Sequence, residues 1–307
     1  MAHNPITRRR LLQASLAALH APLLAACGGA ARALSADDEP RRAVAAPARW
    51  ALVLSGGGLR GFAHLGVLCA LQRLGIEPPL IVGSSVGAVI GGLYASGVRP
   101  GAVERLALAP EMDPWSSLLV SPESRSAGLG AFLQAMLTQR RIDDFPRRFV
   151  AVATARDSGE VCAFGAGDAA CAILASAALP GALAPVAIGG HEYVDGGLSQ
   201  PLPVRVARAL GAERVIAVDV GFHPEVPSPS GRIGSVFHAG FLMARNLSAP
   251  DRALADVLIE PVLPPVPEIT LAKRAALIDC GERAAMALAP SLHALLSSSA
   301  ALVASRS

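Results

Sequence analysis

The sequence predicts an α/β protein with a mostly parallel central sheet. From Trp50 onward, short segments that are apolar throughout alternate with longer amphipathic ones. Strands that are apolar on both faces are typical of parallel sheets covered by helices. Of the 307 residues, 52% are apolar and 17% are charged, so the chain can build a large core.

The first two strand–helix units carry the clearest pattern. WALVLS, residues 50–55, predicts a buried strand, and GFAHLGVLCALQRLG, residues 61–75, predicts a helix that ends at its last glycine. PLIVGSS, residues 79–85, predicts a second strand. The following VGAVIGGLYASG, residues 86–97, predicts a second helix, again closed by glycine.

Strands and helices continue to alternate after this point. Further strands are predicted at FVAVAT, VCAFG, EYVD, RVIAVDV and DVLIEPV, with helices at Ala169–Ala178, Val204–Leu210, Val236–Leu247 and, Ala-rich, at Ile269–Ser305. Residues 112–145 contain an apolar segment near SPESRSAG and then AFLQAMLTQ. This region predicts either a mobile cap over a site or an ordinary helical excursion packed on the domain.

Residues 1–26 have the composition of an export signal. Basic TRRR is followed by the apolar residues 11–26, which are too short for a comfortable membrane span, and then by Cys27. TRRRLLQ resembles a twin-arginine signal, and LAAC resembles the lipobox of bacterial lipoproteins. These resemblances imply cleavage before Cys27, lipidation of Cys27 and a membrane-anchored lipoprotein facing the periplasm. Because residue 28 is Gly rather than Asp, we expect the outer membrane; the alternative is a plain secretory peptide.

The remaining chain has balanced charge. Of 27 basic residues, three lie in the leader, which has no acid, so 24 basic residues remain against 24 acidic ones. With few aromatic side chains, this excludes nucleic acid as an expected partner. Residues 27–49, rich in Ala, Arg, Asp and Pro, predict a flexible tether before a domain over residues 50–290 and a C-terminal helix or tail over residues 291–307.

The cysteines after the leader show no metal-ligand spacing. They are Cys69, Cys162, Cys171 and Cys280. Their apolar surroundings predict buried thiols, and a disulfide among them stays open. No metal site is expected.

A glycine loop follows the first strand. Gly56, Gly58 and Gly61 satisfy GxGxxG, the spacing of a dinucleotide fingerprint. That scheme needs an acid at the end of the second strand, whereas Glu77 precedes the strand. Consecutive glycines also present backbone N–H groups that bind any small oxyanion. The loop alone leaves both functions open.

The pentapeptide GSSVG, residues 83–87, fits G-x-S-x-G with Ser85 at its centre. Between a strand and a helix this motif forms a sharp turn that exposes the serine hydroxyl, and the helix N-terminus favours negative charge there. Ser85 is therefore predicted to be a nucleophile. A tight structural turn is the alternative.

A serine nucleophile needs a base. Asp219 with His223, His238 or His293 would give the order Ser…Asp…His, but none of these histidines lies in a clear motif. Asp195, in EYVDGGLSQPLPV, follows a strand and precedes two glycines that leave its carboxylate uncrowded. By itself, D-G-G is more typical of a plain Asp-Gly turn than of a catalytic base.

Taken together, three ordered blocks resemble the patatin-like phospholipases: SGGGLRGFAHLGVL, IVGSSVGAVIGGLYASG and YVDGGLSQPLPV. ASAALPGALAPV and ALGAERVIAVDV are similar to the neighbouring segments of that family, and the resemblance covers residues 50–265. It implies a three-layer α/β/α fold and a serine acyl hydrolase that cleaves carboxylic esters of lipids. It implies no cofactor and no metal.

The resemblance also implies roles for single residues. Ser85 and Asp195 would form a dyad without histidine, and the amides of Gly56, Gly57 and Gly58 would form the oxyanion hole. Ser85 would attack the acyl carbonyl while Asp195 takes its proton, and water would then release the acyl group.

Four further positions belong to the family motifs. Arg60 is the arginine of the glycine-loop motif and is either a supporting cation or a structural one. His64 is expected to be structural. Ser55 stands where the family often has Asp, and Gln200 stands where Asn is usual; both can still form hydrogen bonds.

The expected partners are a lipid or ester substrate and a membrane surface, reached through the lipid anchor. Three rival functions stay open: a Ser-His-Asp esterase, a non-catalytic nucleotide-binding lipoprotein, and a catalytically idle lipoprotein with a scaffold role.

Overall fold

One mixed sheet lies at the centre of the structure, a computed structural model that describes residues 37–109, 121–221, 231–264 and 270–304. Within these residues its strands are β1 (Arg41–Arg42), β2 (Ala51–Leu54), β3 (Leu80–Ser84), β4 (Arg148–Ala155), β5 (Val161–Ala166), β6 (Val186–Ile188), β7 (His191–Asp195), β8 (Val215–Val218) and β9 (Val257–Ile259). The order is β1-β5-β4-β3-β2-β8-β9, and β7 pairs with β4 and β6. Neighbours from β4 to β9 in this order are parallel, and the other pairings are antiparallel. The predicted α/β class with a mostly parallel sheet is confirmed.

Helices cover this sheet. They are α1 (Phe62–Arg73), α2 (Val86–Ala95), α3 (Pro100–Ala107), α4 (Pro122–Met136), α5 (Ala169–Ala177), α6 (Val204–Ala209), α7 (Gly231–Ala253), α8 (Leu271–Ala287) and α9 (Ala289–Ala304). In the described part of the chain, no helix combines the length and the apolar character needed to cross a membrane. The chain divides into Met1–Asp37 and Asp38–Ser307, and all these elements belong to the second unit.

The parallel strands are apolar throughout because their side chains alternate between two cores. Leu52 and Leu54 of β2 belong to the core shared with α1, α2 and α5. Ala51 and Val53 belong to a second core, on the other face, shared with α6. Both faces of the sheet therefore carry helices, which gives the three layers.

Helices α1 and α8 cross in direct backbone contact. A Cβ atom on Gly66 would lie 1.8 Å from the carbonyl oxygen of Ile278, and one on Gly281 would lie 1.9 Å from that of Ala63. No side chain fits at either position, so glycine is required at both.

In α9, Leu292 is fully buried in the first core. Residues 291–304 of the predicted C-terminal helix or tail are thus helical, as part of α9, which begins at Ala289.

The tether predicted over residues 27–49 is wrong in its last part. Arg41 and Arg42 pair with β5, and the N–H of Ala43 and of Ala48 donate to the carbonyls of Ala163 and Gly211. The paired backbone fixes this segment to the domain. The pattern of apolar residues did not predict β1 because both of its arginines are exposed.

Part of the predicted cap is packed rather than mobile. Ser121 caps α4 by accepting the N–H of Ser124, and Leu133 is fully buried in the first core. For residues 121–145 the alternative of a packed helical excursion is confirmed. Residues 112–120 lie outside the described residues, as do the export signal, Cys27 and His223.

The four cysteines expected to be buried are free thiols, with no disulfide among them. Cys69 and Cys162 are buried, as predicted, whereas Cys171 and Cys280 are only partly buried.

Candidate active site

Ser85 and Asp195 meet at one edge of the sheet. Ser85 directly follows β3 and is the N-cap of α2, and Asp195 is the last residue of β7, which pairs with β4. The hydroxyl of Ser85 donates a hydrogen bond of 2.6 Å to Oδ2 of Asp195. The structure therefore brings together two side chains that are 110 residues apart in the sequence.

The backbone at Ser85 forms the sharp strand–helix turn. Ser85 has φ 56° and ψ −127°, and within the described residues only this non-glycine residue has a positive φ. Such a conformation costs an L-residue about 1–2 kcal/mol, which the surrounding packing must offset. A Cβ atom on Gly83 would lie 2.5 Å from the oxygen of Gly87, and one on Gly87 would lie 2.3 Å from the oxygen of Leu54. Glycines are therefore required where the strands approach α2.

Asp195 is held in a buried position. Only 3% of its surface is exposed, and its Oδ1 accepts a 2.7 Å hydrogen bond from the N–H of Gly197. Burial raises the pKa of Asp195 from 3.8 to about 6, although the hydrogen bonds from Ser85 and Gly197 oppose this shift. A carboxylate with a raised pKa is a stronger base at neutral pH.

Two buried hydroxyls that were not predicted from the sequence hold the backbone of Ser85 and Asp195. Ser176 accepts the N–H of Ser85 at 3.0 Å and donates to the carbonyl of Val152 at 2.5 Å. Thr154 donates to the carbonyl of Asp195 at 2.8 Å. The sequence offers one sign of such residues: each is a hydroxyl residue inside an otherwise apolar helix or strand, where a buried hydroxyl needs a hydrogen-bond partner.

The glycine loop lies against Ser85, the predicted nucleophile, since a Cβ atom on Gly56 would lie 3.3 Å from Cβ of Ser85. The N–H of Gly56 donates to the carbonyl of Pro201 at 2.8 Å, so it is not available for an oxyanion. The predicted hole of Gly56, Gly57 and Gly58 is therefore wrong at its first member. Among the described residues, the N–H groups of Gly57 and Gly58 donate to no other group.

The rival base, Asp219, is already paired. It accepts a 2.5 Å hydrogen bond from Arg252 and a 2.8 Å hydrogen bond from the N–H of Gly221. His293 lies on α9 beside Trp50, where β2 begins, whereas Ser85 follows the end of the parallel strand β3. His293 therefore lies at the edge of the sheet opposite Ser85. His238 lies within α7.

Glu77, the acid considered for a nucleotide ribose, lies before β3 and pairs with Arg147 at 3.6 Å. It is thus at the edge of the sheet opposite the glycine loop. Within residues 37–109, 121–221, 231–264 and 270–304, no group of three or more His, Cys, Asp or Glu side chains could hold a metal ion.

A family model described as patatin-like phospholipase matches residues 52–208, just over half of the chain. The chain belongs to this family. An uncharacterised NTE family protein of Mycobacterium tuberculosis is 34% identical over 186 residues, which cover 56% of this chain and 49% of that protein. A lysophospholipase of Debaryomyces hansenii is 33% identical over 178 residues, which cover 55% of this chain and 12% of that protein.

The chain thus spans about half the length of the mycobacterial relative and far less of the second. Among solved structures, VipD from Legionella pneumophila has a TM-score of 0.47 and 15% identity, with 87% of this chain and 72% of that chain covered.

The two departures from the patatin-like pattern keep their hydrogen bonds. Ser55 donates to the carbonyl of Gly56 and accepts the N–H of Val220, both at 2.9 Å. It therefore links the glycine loop to the segment after β8. Gln200 donates to the buried carboxylate of Asp251 at 2.8 Å.

The glycine loop also brings two basic side chains into the interior. Nε2 of His64 donates to the carbonyl of Ser55 at 2.8 Å, and complete burial lowers the pKa of His64 to about 4, so the ring is neutral at pH 7. Burial lowers the pKa of Arg60 to about 10, with Asp219 opposing the shift. Nε and Nη2 of Arg60 are buried and have no hydrogen-bond partner among the described residues. Arg60 therefore remains a charged candidate for supporting an anion.

Replacing Gly57 by alanine is expected to lower kcat/KM for ester hydrolysis about 10²- to 10³-fold, the usual effect of losing one oxyanion donor. The new Cβ would lie 2.8 Å from Cγ2 of Val220 and 2.9 Å from its carbonyl oxygen, so the amide must move. Gly128→Ala is the control, because no heavy atom lies within 4 Å of its Cβ position. Unchanged kcat/KM in Gly57→Ala would place the oxyanion elsewhere.

Proposed function

We propose that this patatin-like protein is a serine acyl hydrolase that cleaves carboxylic esters of lipids, acting as a phospholipase A, a lysophospholipase or a related esterase. The observation that carries this proposal is the 2.6 Å hydrogen bond from the hydroxyl of Ser85 to the buried carboxylate of Asp195. The family supports a lipid as the substrate class.

The chemistry follows from this pair. The oxygen of Ser85 attacks the acyl carbonyl carbon, and its proton passes to Oδ2 of Asp195. The N–H groups of Gly57 and Gly58 donate to the oxyanion of the tetrahedral intermediate. When the intermediate collapses, the leaving alcohol takes the proton from Asp195. Water then attacks the acyl-enzyme while Asp195 accepts its proton. When the second tetrahedral intermediate collapses, Asp195 returns this proton to the oxygen of Ser85 and the free acid leaves.

The test is a series of esters of increasing acyl length, first p-nitrophenyl esters and then phospholipids and lysophospholipids, combined with labelling by a fluorophosphonate. We expect turnover that depends on acyl length and an adduct on Ser85. A folded protein that forms no adduct and hydrolyses no member of the series would instead be the catalytically idle lipoprotein.

We further propose that residues 1–26 direct export and that Cys27 carries a lipid anchor, which would hold the hydrolase at the outer membrane, facing the periplasm. TRRR, the following apolar segment and LAAC support this proposal. We expect processing that globomycin inhibits and partitioning into the detergent phase, with both lost in Cys27→Ser. Identical behaviour of Cys27→Ser and the parent would contradict the anchor.

A further inference from the structure

Part of α7 exposes apolar side chains to solvent. In its middle, the exposed surface is 37% for Phe241, 41% for Leu242 and 65% for Met243. Towards the C-terminal end, Ser248 and Asp251 are buried. The helix is therefore packed at its end and exposed over the preceding turns. Consecutive exposed apolar side chains of this size typically mark an interaction surface.

The packed end of α7 is attached to the segment that follows Asp195. The fully buried carboxylate of Asp251 accepts hydrogen bonds from Nε2 of Gln200 and from the backbone N–H of Arg205, both at 2.8 Å. The helix also contacts the turn Gly196–Leu198, which directly follows the catalytic carboxylate. Leu198 in this turn is 47% exposed. With a rise of 1.5 Å per residue, the exposed apolar turns begin at Met243, about 12 Å along the helix from Asp251.

The charge of this region is one-sided. Residues 226–250 contain Arg232 and Arg245 and no acidic residue. Arg245 is exposed and makes no ion pair within the described residues. The turns of α7 before Asp251 thus combine exposed apolar side chains with a basic one, as in segments that bind an anionic lipid surface. A protein partner would need acidic groups at this surface, whereas a membrane supplies them together with an apolar layer.

We propose that residues 238–247 of α7, the docking segment, bind the surface of a lipid membrane that contains anionic headgroups. Leu242 and Met243 enter the boundary between headgroups and acyl chains, and Arg245 contacts the anionic headgroups. Because Asp251 attaches α7 to the segment that follows Asp195, docking holds the dyad close to the lipid surface. The choice of a lipid as the occupant rests on the proposed function.

The test uses the full chain carrying Cys27→Ser, which removes the predicted acylation site, and sedimentation with vesicles of phosphatidylcholine alone or mixed with phosphatidylglycerol. We expect Leu242→Ser/Met243→Ser to lower the partition coefficient at least about tenfold on mixed vesicles, because two apolar side chains no longer enter the lipid. Arg245→Gln should lower it about fivefold on mixed vesicles and leave it unchanged on phosphatidylcholine.

The matched control is Leu271→Ser/Met286→Ser, which removes two apolar side chains of α8 that are 44% and 41% exposed. It should bind vesicles like the parent. Turnover of a short, water-soluble ester should be the same in all variants, while hydrolysis of vesicle phospholipid falls in step with binding.

Equal binding by the docking-segment variant and the control would overturn the proposal. So would a dimer of the parent that only the docking-segment variant abolishes in sedimentation velocity, because the surface would then serve a second copy. Vesicle binding that follows the expected pattern, in a protein that hydrolyses no ester, would uphold the docking surface and refute the proposed function.

Discussion

Ser85→Ala is expected to lower kcat/KM for ester hydrolysis by about 10⁴- to 10⁶-fold, the range found when a serine nucleophile is removed. Alanine keeps the backbone but has no oxygen to attack the acyl carbon. Within the described residues, the one side-chain hydrogen bond that this substitution removes is the bond to Asp195, so the protein should remain folded. Steady-state kinetics and fluorophosphonate labelling measure the loss, and thermal unfolding checks the fold.

The neighbouring hydroxyl provides the matched control for this substitution. Ser84 is fully buried, and its oxygen has no hydrogen-bond partner among the described residues. Ser84→Ala removes a buried polar group without breaking a hydrogen bond, so turnover should stay within a few-fold and stability should hold or rise. A comparable loss of turnover in Ser84→Ala would mean that the turn, rather than the hydroxyl of Ser85, is what Ser85→Ala disturbs.

Asp195→Asn is expected to lower kcat about 10³- to 10⁴-fold, since an amide cannot accept the proton of Ser85. In the parent, kcat/KM should rise with pH and reach half of its maximum near pH 6, where Asp195 ionises. His293→Ala should retain full turnover. Loss of turnover in His293→Ala with full turnover in Asp195→Asn would instead support the Ser-His-Asp esterase.

Asp195→Asn should also stabilise the fold at neutral pH. Burial raises the pKa of Asp195 from 3.8 to about 6, so the folded protein favours the protonated acid. Below pH 3.8 both the folded and the unfolded state are protonated and there is no penalty; the penalty grows as pH rises and is complete above pH 6. Asn carries no charge, so Asp195→Asn should gain about 1–3 kcal/mol at pH 7 relative to pH 3.5. Denaturant unfolding at the two pH values measures this gain, and its absence would mean that the carboxylate is not destabilised by burial.

The parts of the fold that the sequence predicted are those in which one local pattern determines the structure. β2 and β3 are apolar on both faces, and the glycines at 83 and 87 permit the close approach of strand and helix that this turn requires. The missed elements have no such pattern. β1 is two exposed arginines, and β6 is three residues whose partner is β7. Their pairing partners, not their own side chains, make them strands.

The same distinction applies to the site. Ser85 and Asp195 lie in local motifs from which the sequence predicted both, and the structure places their side chains within hydrogen-bond distance. Which glycine amide is free depends on Pro201, a residue about 145 positions away, because its carbonyl accepts the N–H of Gly56. Ser176 likewise gains its role from contacts with β3 and β4. Such long-range hydrogen bonds are visible only in three dimensions.

The crossing of α1 and α8 has a consequence for where the catalytic unit ends. The family model stops at residue 208, yet α1, which directly follows the glycine loop, contacts α8 backbone to backbone at Gly66 and Gly281. A fragment that ends at residue 208 would lack α8, which supports α1 after the glycine loop, and would lack β8, which pairs with β2. The smallest folding unit that keeps the candidate site supported therefore extends through the C-terminal helices, beyond the segment that the family model matches.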